Sequence, residues 1–143
     1  MNKLVLCTTK DELLEHYLIR KAVFIDEQKV SYKDEYDFQE KEALPYLYFY
    51  RGKAIGAARI KIEEDFAKLE RICILKPYRG LGLGKKFLEE LMAYAVNLGI
   101  KRFVLGAQAY AVPFYEKLGF IIAGDLYFDA GIPHYKMKKE PLQ

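Results

Sequence analysis

Short runs of apolar residues recur along the chain and predict most of its strands. Runs typical of strands occupy residues 3–7, 45–50, 54–62, 66–75 and 101–108. The second and third runs flank the turn sequence RGK, which predicts a hairpin between neighbouring strands.

Apolar residues three or four positions apart predict two longer helices. Thr9 and Glu12 form a capping-box pattern at the start of the first helix. Its apolar positions are Leu13, Leu14, Tyr17, Leu18 and Phe24. The second helix follows residue 82, and its apolar stripe comprises Leu83, Phe87, Leu88, Leu91, Met92, Ala95 and Leu98. Gly99 is expected to end this helix.

The rest of the chain contains one long polar segment and a series of short elements. Residues 25–44 are rich in acidic side chains and predict an irregular loop, which in a compact domain is usually functional or mobile. A short helix is predicted over residues 112–118, and residues 120–128 and 134–139 are typical of two final strands. Hairpins mixed with crossovers predict one α+β domain over residues 1–143 with a central mixed sheet.

The charge balance argues against a nucleic-acid-binding surface. The chain has 23 basic and 20 acidic side chains and a net charge of +3, which is weak unless the positive charges cluster. Lys136, Lys138 and Lys139 alternate with apolar residues, as expected for an exposed strand edge. Exposed sheet edges often pair, so a homodimer is one assembly that the sequence allows.

Three absences in the sequence exclude further classes of function. No run approaches the roughly 18 to 20 apolar residues of a membrane span. Cys7 and Cys73 are too few for a disulfide framework, so a reducing compartment and a cytoplasmic location are expected. The two histidines and two distant cysteines lack metal-ligand spacing, so no metal centre is expected.

The segment YRGLGLGKKF, residues 78–87, is the first candidate for binding chemistry. Its three glycines, Gly80, Gly82 and Gly84, stand where a strand gives way to the second long helix. Free N–H groups and the positive dipole end at a helix N-terminus favour anions, and Arg79 and Lys85 add charge. The other interpretation is a tight turn that only packs the helix on the sheet. The spacing matches neither the nucleotide P-loop nor the dinucleotide fingerprint.

Two segments together resemble the GNAT superfamily of acetyl-CoA-dependent N-acetyltransferases. The pattern Arg79-x-x-Gly82-x-Gly84 within LERICILKPYRGLGLGKKFLEELMAYA is similar to its acetyl-CoA signature, and AQAYAVPFYEKLGF is similar to its second signature. The segments Val23–Gln28 and Gly131–His134 resemble its ElaA-like branch. The resemblance implies a three-layer α/β/α fold with a mainly antiparallel sheet, and acetyl-CoA as co-substrate.

The resemblance also assigns residues to the co-substrate. The backbone of the glycine loop is expected to hold the diphosphate, and the side chains of Arg79 and Lys85 are expected to assist. The residues assigned to this site are Arg79, Gly80, Leu81, Gly82, Leu83, Gly84 and Lys85. The backbone of Ile72, Cys73 and Ile74 is expected beside the pantetheine arm. Gln108 stands where many relatives carry an asparagine that contacts this arm.

Acetyl transfer to an amine requires a base for the amine proton and a donor to the departing thiolate. By resemblance Tyr115 occupies the position of the general acid, although one of 12 tyrosines could equally be core material. Glu70 is the leading carboxylate for the base. It alternates with Ile72 and Ile74, so the three side chains share a face if no bulge intervenes. The alternative is a surface glutamate paired to Arg71 or Arg59.

The acceptor itself is left open by the sequence beyond a small-molecule or peptide amine. Within the acidic segment Glu27, Glu35 and Asp37 are the candidates to attract a cationic amine, whereas most acids there fit a solvated surface. Asp129 and His134 are candidates for the acceptor pocket. A non-catalytic acyl-CoA-binding sensor or interaction module is the alternative function, since it needs the glycine loop but neither Tyr115 nor a base.

Overall fold

The computed structural model describes residues 2–37 and 40–140, and these form one eight-stranded sheet. Its strands are β1 (Asn2–Leu6), β2 (Leu44–Tyr50), β3 (Lys53–Glu63), β4 (Phe66–Ile74), β5 (Arg102–Gln108), β6 (Ile121–Ile122), β7 (Tyr127–Asp129) and β8 (Ile132–Lys139). The spatial order is β1-β2-β3-β4-β5-β8-β6, and β7 also pairs with β8. The β4–β5 pair is parallel and the other pairs are antiparallel.

Helices cover both faces of this sheet. They are α1 (Lys10–Arg20), α2 (Tyr32–Glu35), α3 (Leu83–Asn97) and α4 (Val112–Lys117), and a π-helical segment, Lys21–Glu27, continues α1. Leu83, Phe87 and Leu91 of α3 are buried in the main core on one face. Ile19 of α1 and Val23 of the π-helical segment are buried in a smaller core on the other. The predicted three-layer α+β architecture is therefore confirmed.

Local sequence signals account for the elements that were predicted well. The hairpin of β2 and β3 forms as expected. The capping box at α1 is present, because the Glu12 N–H donates to the Thr9 hydroxyl while the Glu12 carboxylate accepts from the Thr9 N–H. Gly99 ends α3 with a φ of 96°, a left-handed conformation that favours glycine.

The predicted apolar stripes are partly wrong. Leu98 is exposed, since it follows the last turn of α3. On α1, Leu14 and Leu18 are exposed while His16 and Arg20 are completely buried. Helical spacing misleads here because the buried face of α1 carries polar side chains that find partners inside the protein.

Three further expectations need correction. Residues 25–44 are not wholly irregular, since they include the end of the π-helical segment, α2 and a turn of 3-10 helix at Glu40–Glu42; residues 38–39 lie outside the described part. Residues 120–128 hold two short strands, β6 and β7, instead of one. The lysine-rich strand β8 is no sheet edge, because β5 pairs with one side of it and β6 and β7 pair with the other.

The parallel pair in the middle of the sheet positions the site. β4 and β5 pair only at Phe66↔Arg102, Ala67↔Phe103 and Lys68↔Val104. Beyond these pairs the two strands are no longer in register with each other, so the second half of β4 faces the end of β5 across a gap. This gap is a cleft in an otherwise continuous sheet.

Neither a long apolar helix nor a disulfide occurs in residues 2–37 and 40–140. No helix there is both long and apolar enough to cross a membrane. Cys7 and Cys73 are both buried free thiols. The cytoplasmic location stays a prediction.

Candidate active site

A cavity of about 190 Å³ opens between the separated ends of β4 and β5. It brings together seven of the residues predicted from the sequence: Glu35, Glu70, Ile72, Gln108, Tyr115, Asp129 and His134. Other predicted residues, Glu27, Asp37, Cys73, Ile74 and the glycine loop, lie outside the lining of this cavity. Most of the predicted catalytic and acceptor-site residues thus converge on one place.

Tyr115 lies on α4 and packs into the aromatic wall of the cavity. Its ring contacts Phe114 and Phe120 edge-on, with centroid distances of 5.1 and 5.9 Å. Burial raises the pKa of the Tyr115 phenol well above its usual value. The hydroxyl is therefore protonated throughout the physiological range and can act as a hydrogen-bond donor.

A β-bulge in β4 changes which side chains reach the cavity. Ala57 pairs with Cys73 and Arg59 pairs with Glu70, so two residues of β4 oppose one residue of β3. Arg71 at this bulge has a φ of 55°, which is uncommon for a residue with a side chain. A bulge shifts the alternation of side chains by one position. The expectation that Glu70 shares a face with Ile72 and Ile74 is therefore wrong.

Glu70 is held by two cations at the edge of the cavity. One carboxylate oxygen accepts from the Arg59 Nε–H at 3.0 Å, and the other lies 3.3 Å from the Lys68 ammonium. Its side chain is 10% exposed. The pairing to Arg59 matches the alternative interpretation of Glu70, although the carboxylate still lines the cavity.

Glu35 and Asp37 belong to a chain of ion pairs with three arginines. Glu35 is 2.6 Å from Arg20 and 2.8 Å from Arg71. Asp37 is 3.2 Å from Arg71 and 2.6 Å from Arg59. Arg59 continues the chain to Glu70, so acids and bases alternate from α1 through α2 to β3 and β4. Arg71, which lines the cavity, is fixed by both acids.

The buried end of this chain fixes a histidine as well. His16 Nδ1 donates to the Tyr46 carbonyl at 2.9 Å, which leaves Nε2 to accept from Arg20 at 3.2 Å. Both ring nitrogens are thus used inside the fold. His16 therefore has a structural role.

His134 also lines the cavity, and one of its ring nitrogens makes a hydrogen bond within the protein. Its Nδ1 donates to the Ile132 carbonyl at 2.7 Å. In the neutral ring this leaves Nε2 with a lone pair, which can accept a proton or a hydrogen bond. His134 pairs in register with Gln108, whose amide donates to the Gln28 side chain at 2.8 Å. Asp129 lies nearby on β7 and is exposed.

The glycine loop leaves the N-terminus of α3 open. Gly80 and Gly82 have φ values of 81° and 76°, and a Cβ at either position would meet nothing within 4 Å. The helical hydrogen bonds begin with the Lys86 N–H donating to the Gly82 carbonyl at 3.3 Å. The N–H groups of residues 83–85 precede this bond and so have no carbonyl of the helix to bind. The loop fits an anion.

Arg79 binds protein groups on both sides of the loop. Its Nε–H donates to the Ile74 carbonyl at 2.9 Å, and its two terminal nitrogens lie 2.5 and 2.8 Å from the Glu27 carboxylate oxygens. The hydrogen bonds from Arg79 lower the pKa of Glu27, and the same pairing raises the pKa of Arg79. Arg79 thus ties the loop to β4 and to the π-helical segment.

Phe114 connects the loop to the cavity. A Cβ placed on Gly84 would lie 3.5 Å from the Phe114 ring and 4.0 Å from Ile74. The neighbouring ring of Tyr115 lines the cavity. Phe114 of α4 thus lies close to both the loop and the end of β4, and the next residue, Tyr115, lines the cavity.

Sequence reasoning missed several residues that build this site. Arg20 is buried and interrupts an apolar stretch, which was a usable signal for an internal ion pair. Gln28 was noted only as part of a motif. Arg59 and Arg71 were considered only as alternative partners of Glu70, and neither the bulge at Arg71 nor its positive φ is visible in the sequence.

Two other chemistries find little support in the described residues. Burial raises the pKa of the Cys73 thiol to about 12, so it is a poor nucleophile. No cluster of three or more His, Cys, Asp or Glu side chains among residues 2–37 and 40–140 could hold a metal ion.

Known proteins resemble this chain over nearly its whole length. A family model described as an acetyltransferase (GNAT) domain matches residues 9–141. The uncharacterised N-acetyltransferase YjcF from Bacillus subtilis (strain 168) is 37% identical over 139 residues, covering 96% of this chain and 99% of YjcF.

Solved structures share the fold at lower sequence identity. A crystal structure from Lactobacillus plantarum has a TM-score of 0.90 at 24% identity and covers 99% of both chains. Escherichia coli ElaA has a TM-score of 0.83 at 23% identity, covering 98% of this chain and 99% of ElaA. A GNAT family acetyltransferase from Elizabethkingia anophelis, solved with acetyl-CoA bound, has a TM-score of 0.76 at 15% identity, and the match covers 98% of both chains.

Proposed function

Because the chain belongs to the GNAT family of acetyltransferases and resembles its ElaA-like branch, we propose that it moves an acetyl group from acetyl-CoA to a primary amine. Residues 1–143 act as a single N-acetyltransferase domain, and transfer is direct, with both substrates bound together. The observation that carries this proposal is the convergence of the open helix N-terminus, the gap beside β4 and Tyr115.

The residues of the loop and of β4 fit acetyl-CoA. The free N–H groups at the start of α3 and the open space over Gly80 and Gly82 suit a diphosphate, and Lys85 adds charge. Arg79 shapes this loop through its bonds to Ile74 and Glu27. The edge of β4 that does not pair with β5 offers backbone groups of Ile72, Cys73 and Ile74 to the pantetheine arm. Gln108, at the end of β5, lines the cavity together with Ile72. Bound acetyl-CoA supplies an acetyl group activated as a thioester.

Tyr115 protonates or hydrogen-bonds the departing sulfur. Transfer forms a bond between the amine nitrogen and the acetyl carbon and breaks the bond between that carbon and sulfur. The Tyr115 phenol keeps its proton at neutral pH, as an unperturbed tyrosine also does, so it has a hydrogen to donate to the thiolate as it leaves. At the bulge around Arg71 the regular pairing of β4 with β3 is interrupted. Backbone N–H groups of β4 are suited to polarise the carbonyl oxygen of the thioester.

A base must accept the proton that the amine loses. Glu70, alone or through water, has this role in the proposal, and His134 Nε2 is a second group with a lone pair in the same cavity. Asp129 and His134 contact the acceptor, whereas Glu35 and Asp37 hold Arg71 at the cavity wall. The direct roles predicted for Glu27, Glu35 and Asp37 in binding the acceptor stay predictions.

The residue that acts as the base can be identified by the recovery of transfer activity at high pH in a variant that lacks it. Free amines are mostly protonated below their pKa of about 10, so the loss of the base should slow transfer at neutral pH and matter little above pH ~10. Of Glu70→Gln and His134→Gln, the variant that slows transfer about a hundredfold at pH 7 and recovers at high pH identifies the base.

The proposed activity is tested by release of free coenzyme A thiol across a panel of small amines and peptides, with mass spectrometry of the products. An amine that gains one acetyl group in proportion to the thiol released supports the proposal. Coenzyme A binding without thiol release for any amine would instead favour the acyl-CoA-binding module.

A further inference from the structure

A second groove lies beside the cavity. It has a volume of about 490 Å³ and runs along the same face of the sheet, between Phe66 of β4 and Lys136 of β8. Four residues line both spaces: Lys68, Leu105, Gly106 and Tyr127. The two spaces are therefore neighbours that share one wall.

Tyr127 forms the part of this wall that stands above the sheet. It pairs in register with His134, and its ring stacks on the imidazole with a centroid distance of 5.6 Å and an interplanar angle of 26°. His134 pairs with Gln108, and Lys136 pairs with Gly106. From β7 the ring therefore reaches over β8 towards β5.

Gly106 makes room for the Tyr127 hydroxyl. A Cβ at this position would overlap the hydroxyl oxygen and lie 3.5 Å from the Tyr127 Cζ atom. The φ of Gly106 is not in the left-handed region, so the backbone itself does not require glycine there. A glycine inside a strand often marks such a close approach.

We propose that Tyr127 is the wall that closes the acceptor cavity against the groove and so limits the length of the amine that can bind. This inference rests on the proposed function of the cavity as the acceptor site. The cavity alone accommodates a short amine beside His134. The groove would take the tail of a longer acceptor once the phenol ring is removed.

A structural experiment tests the wall without any activity. Crystals of Tyr127→Ala and of the control Tyr127→Phe are soaked with octylamine. We expect one continuous space in Tyr127→Ala, with the alkyl chain passing between cavity and groove, and two separate spaces in Tyr127→Phe. Closure of the gap in Tyr127→Ala by other side chains would overturn the proposal.

The contact with Gly106 is tested by a double-mutant cycle on the melting temperature. Gly106→Ala should lower Tm by several degrees when the Tyr127 hydroxyl is present and have little effect in the Tyr127→Phe background, because the overlap is with the hydroxyl. Equal shifts in Tm in both backgrounds would show that the Tyr127 hydroxyl does not occupy this position. That result would overturn the proposal that Tyr127 separates the two spaces.

Activity gives the third readout, in a series of unbranched primary amines from ethylamine to octylamine. We expect kcat/KM to drop beyond a limiting length in the wild type and in Tyr127→Phe, and the limit to move by several carbons in Tyr127→Ala. The same limiting amine length in all three proteins would overturn the proposal that Tyr127 limits the length of the acceptor. If the wild type acetylates no amine at all, the proposed function fails, while the crystals and the cycle still decide whether Tyr127 separates the two spaces.

Discussion

At the scale of single residues, the most specific chemical role in the proposal is that of Tyr115. Its position was predicted from a sequence signature, and the fold places it in the wall of the cavity next to Phe114, whose ring would contact a Cβ placed on Gly84. Burial raises the pKa of its phenol further above neutral pH. A donor of this kind acts on charge that develops late in the reaction, and so affects the chemical step more than binding.

Replacement of Tyr115 by phenylalanine should therefore lower kcat about a hundredfold and leave the affinity for acetyl-CoA nearly unchanged, because only the hydroxyl is lost. Steady-state kinetics together with direct binding measurements test this. Tyr32→Phe, at an exposed tyrosine on α2, is the matched control and should behave as the wild type. An unchanged kcat in Tyr115→Phe would exclude the phenol as the acid.

At the scale of elements, the chain of ion pairs ties α1, α2, β3 and β4 together around the bulge. Glu35 and Arg20 at its buried end are 1% and 0% exposed. A buried ion pair adds little over an apolar pair, but the loss of one partner leaves an uncompensated buried charge. The chain thus acts mainly to hold Arg71 and the bulge in one conformation.

Glu35→Gln should accordingly lower the free energy of unfolding by about 3 kcal/mol, since the buried Arg20 loses its anion. The matched control is Asp26→Asn, which breaks the exposed pair between Asp26 and Lys21 and should cost less than about 1 kcal/mol. Urea denaturation measures both. Similar small losses in the two variants would contradict a structural role for the buried chain.

The elements also show what the sequence could predict. The β2–β3 hairpin and α3 were predictable, because strong periodicity coincides with turn and capping residues at their ends. The buried face of α1 was not, since His16 and Arg20 resemble exposed residues until their partners are known. The bulge at Arg71 was invisible, because it depends on register between strands and not on residue type.

The candidate site likewise contains residues that the sequence could predict and contacts that it could not. Signatures located the loop, Tyr115, Gln108 and His134, because these positions are defined by local motifs. Arg59 of β3 and Arg71 of β4, which pair with Asp37 and Glu35, lie more than twenty residues away along the chain. Contacts of this range depend on the folded sheet, as does the approach of Tyr127 to Gly106.

At the scale of the whole molecule, buried thiols link stability to pH. Burial raises the pKa of Cys7 and Cys73 from 9.0 to about 12. Between these values the unfolded chain loses thiol protons that the folded chain keeps, so stability falls as pH rises.

The free energy of unfolding should therefore decline between pH 9 and 10, by at most about 1.4 kcal/mol per pH unit for each thiol. Denaturation at several pH values measures the slope. Cys7→Ser, which removes one titrating thiol, should reduce the slope. A stability that is constant or rises over this range would contradict the burial of the two thiols.

The central claim concerns the whole molecule as well: backbone N–H groups at the start of α3 hold the diphosphate of coenzyme A. Calorimetry of coenzyme A binding to Gly82→Ala and Gly99→Ala tests it most directly. Both glycines have left-handed φ values, 76° and 96°, at opposite ends of the same helix, so both variants carry similar backbone strain. We predict that Gly82→Ala binds at least about tenfold more weakly, or about 1.4 kcal/mol, while Gly99→Ala binds as the wild type does. Equal affinities in the two variants, or no binding by the wild type, would contradict the account.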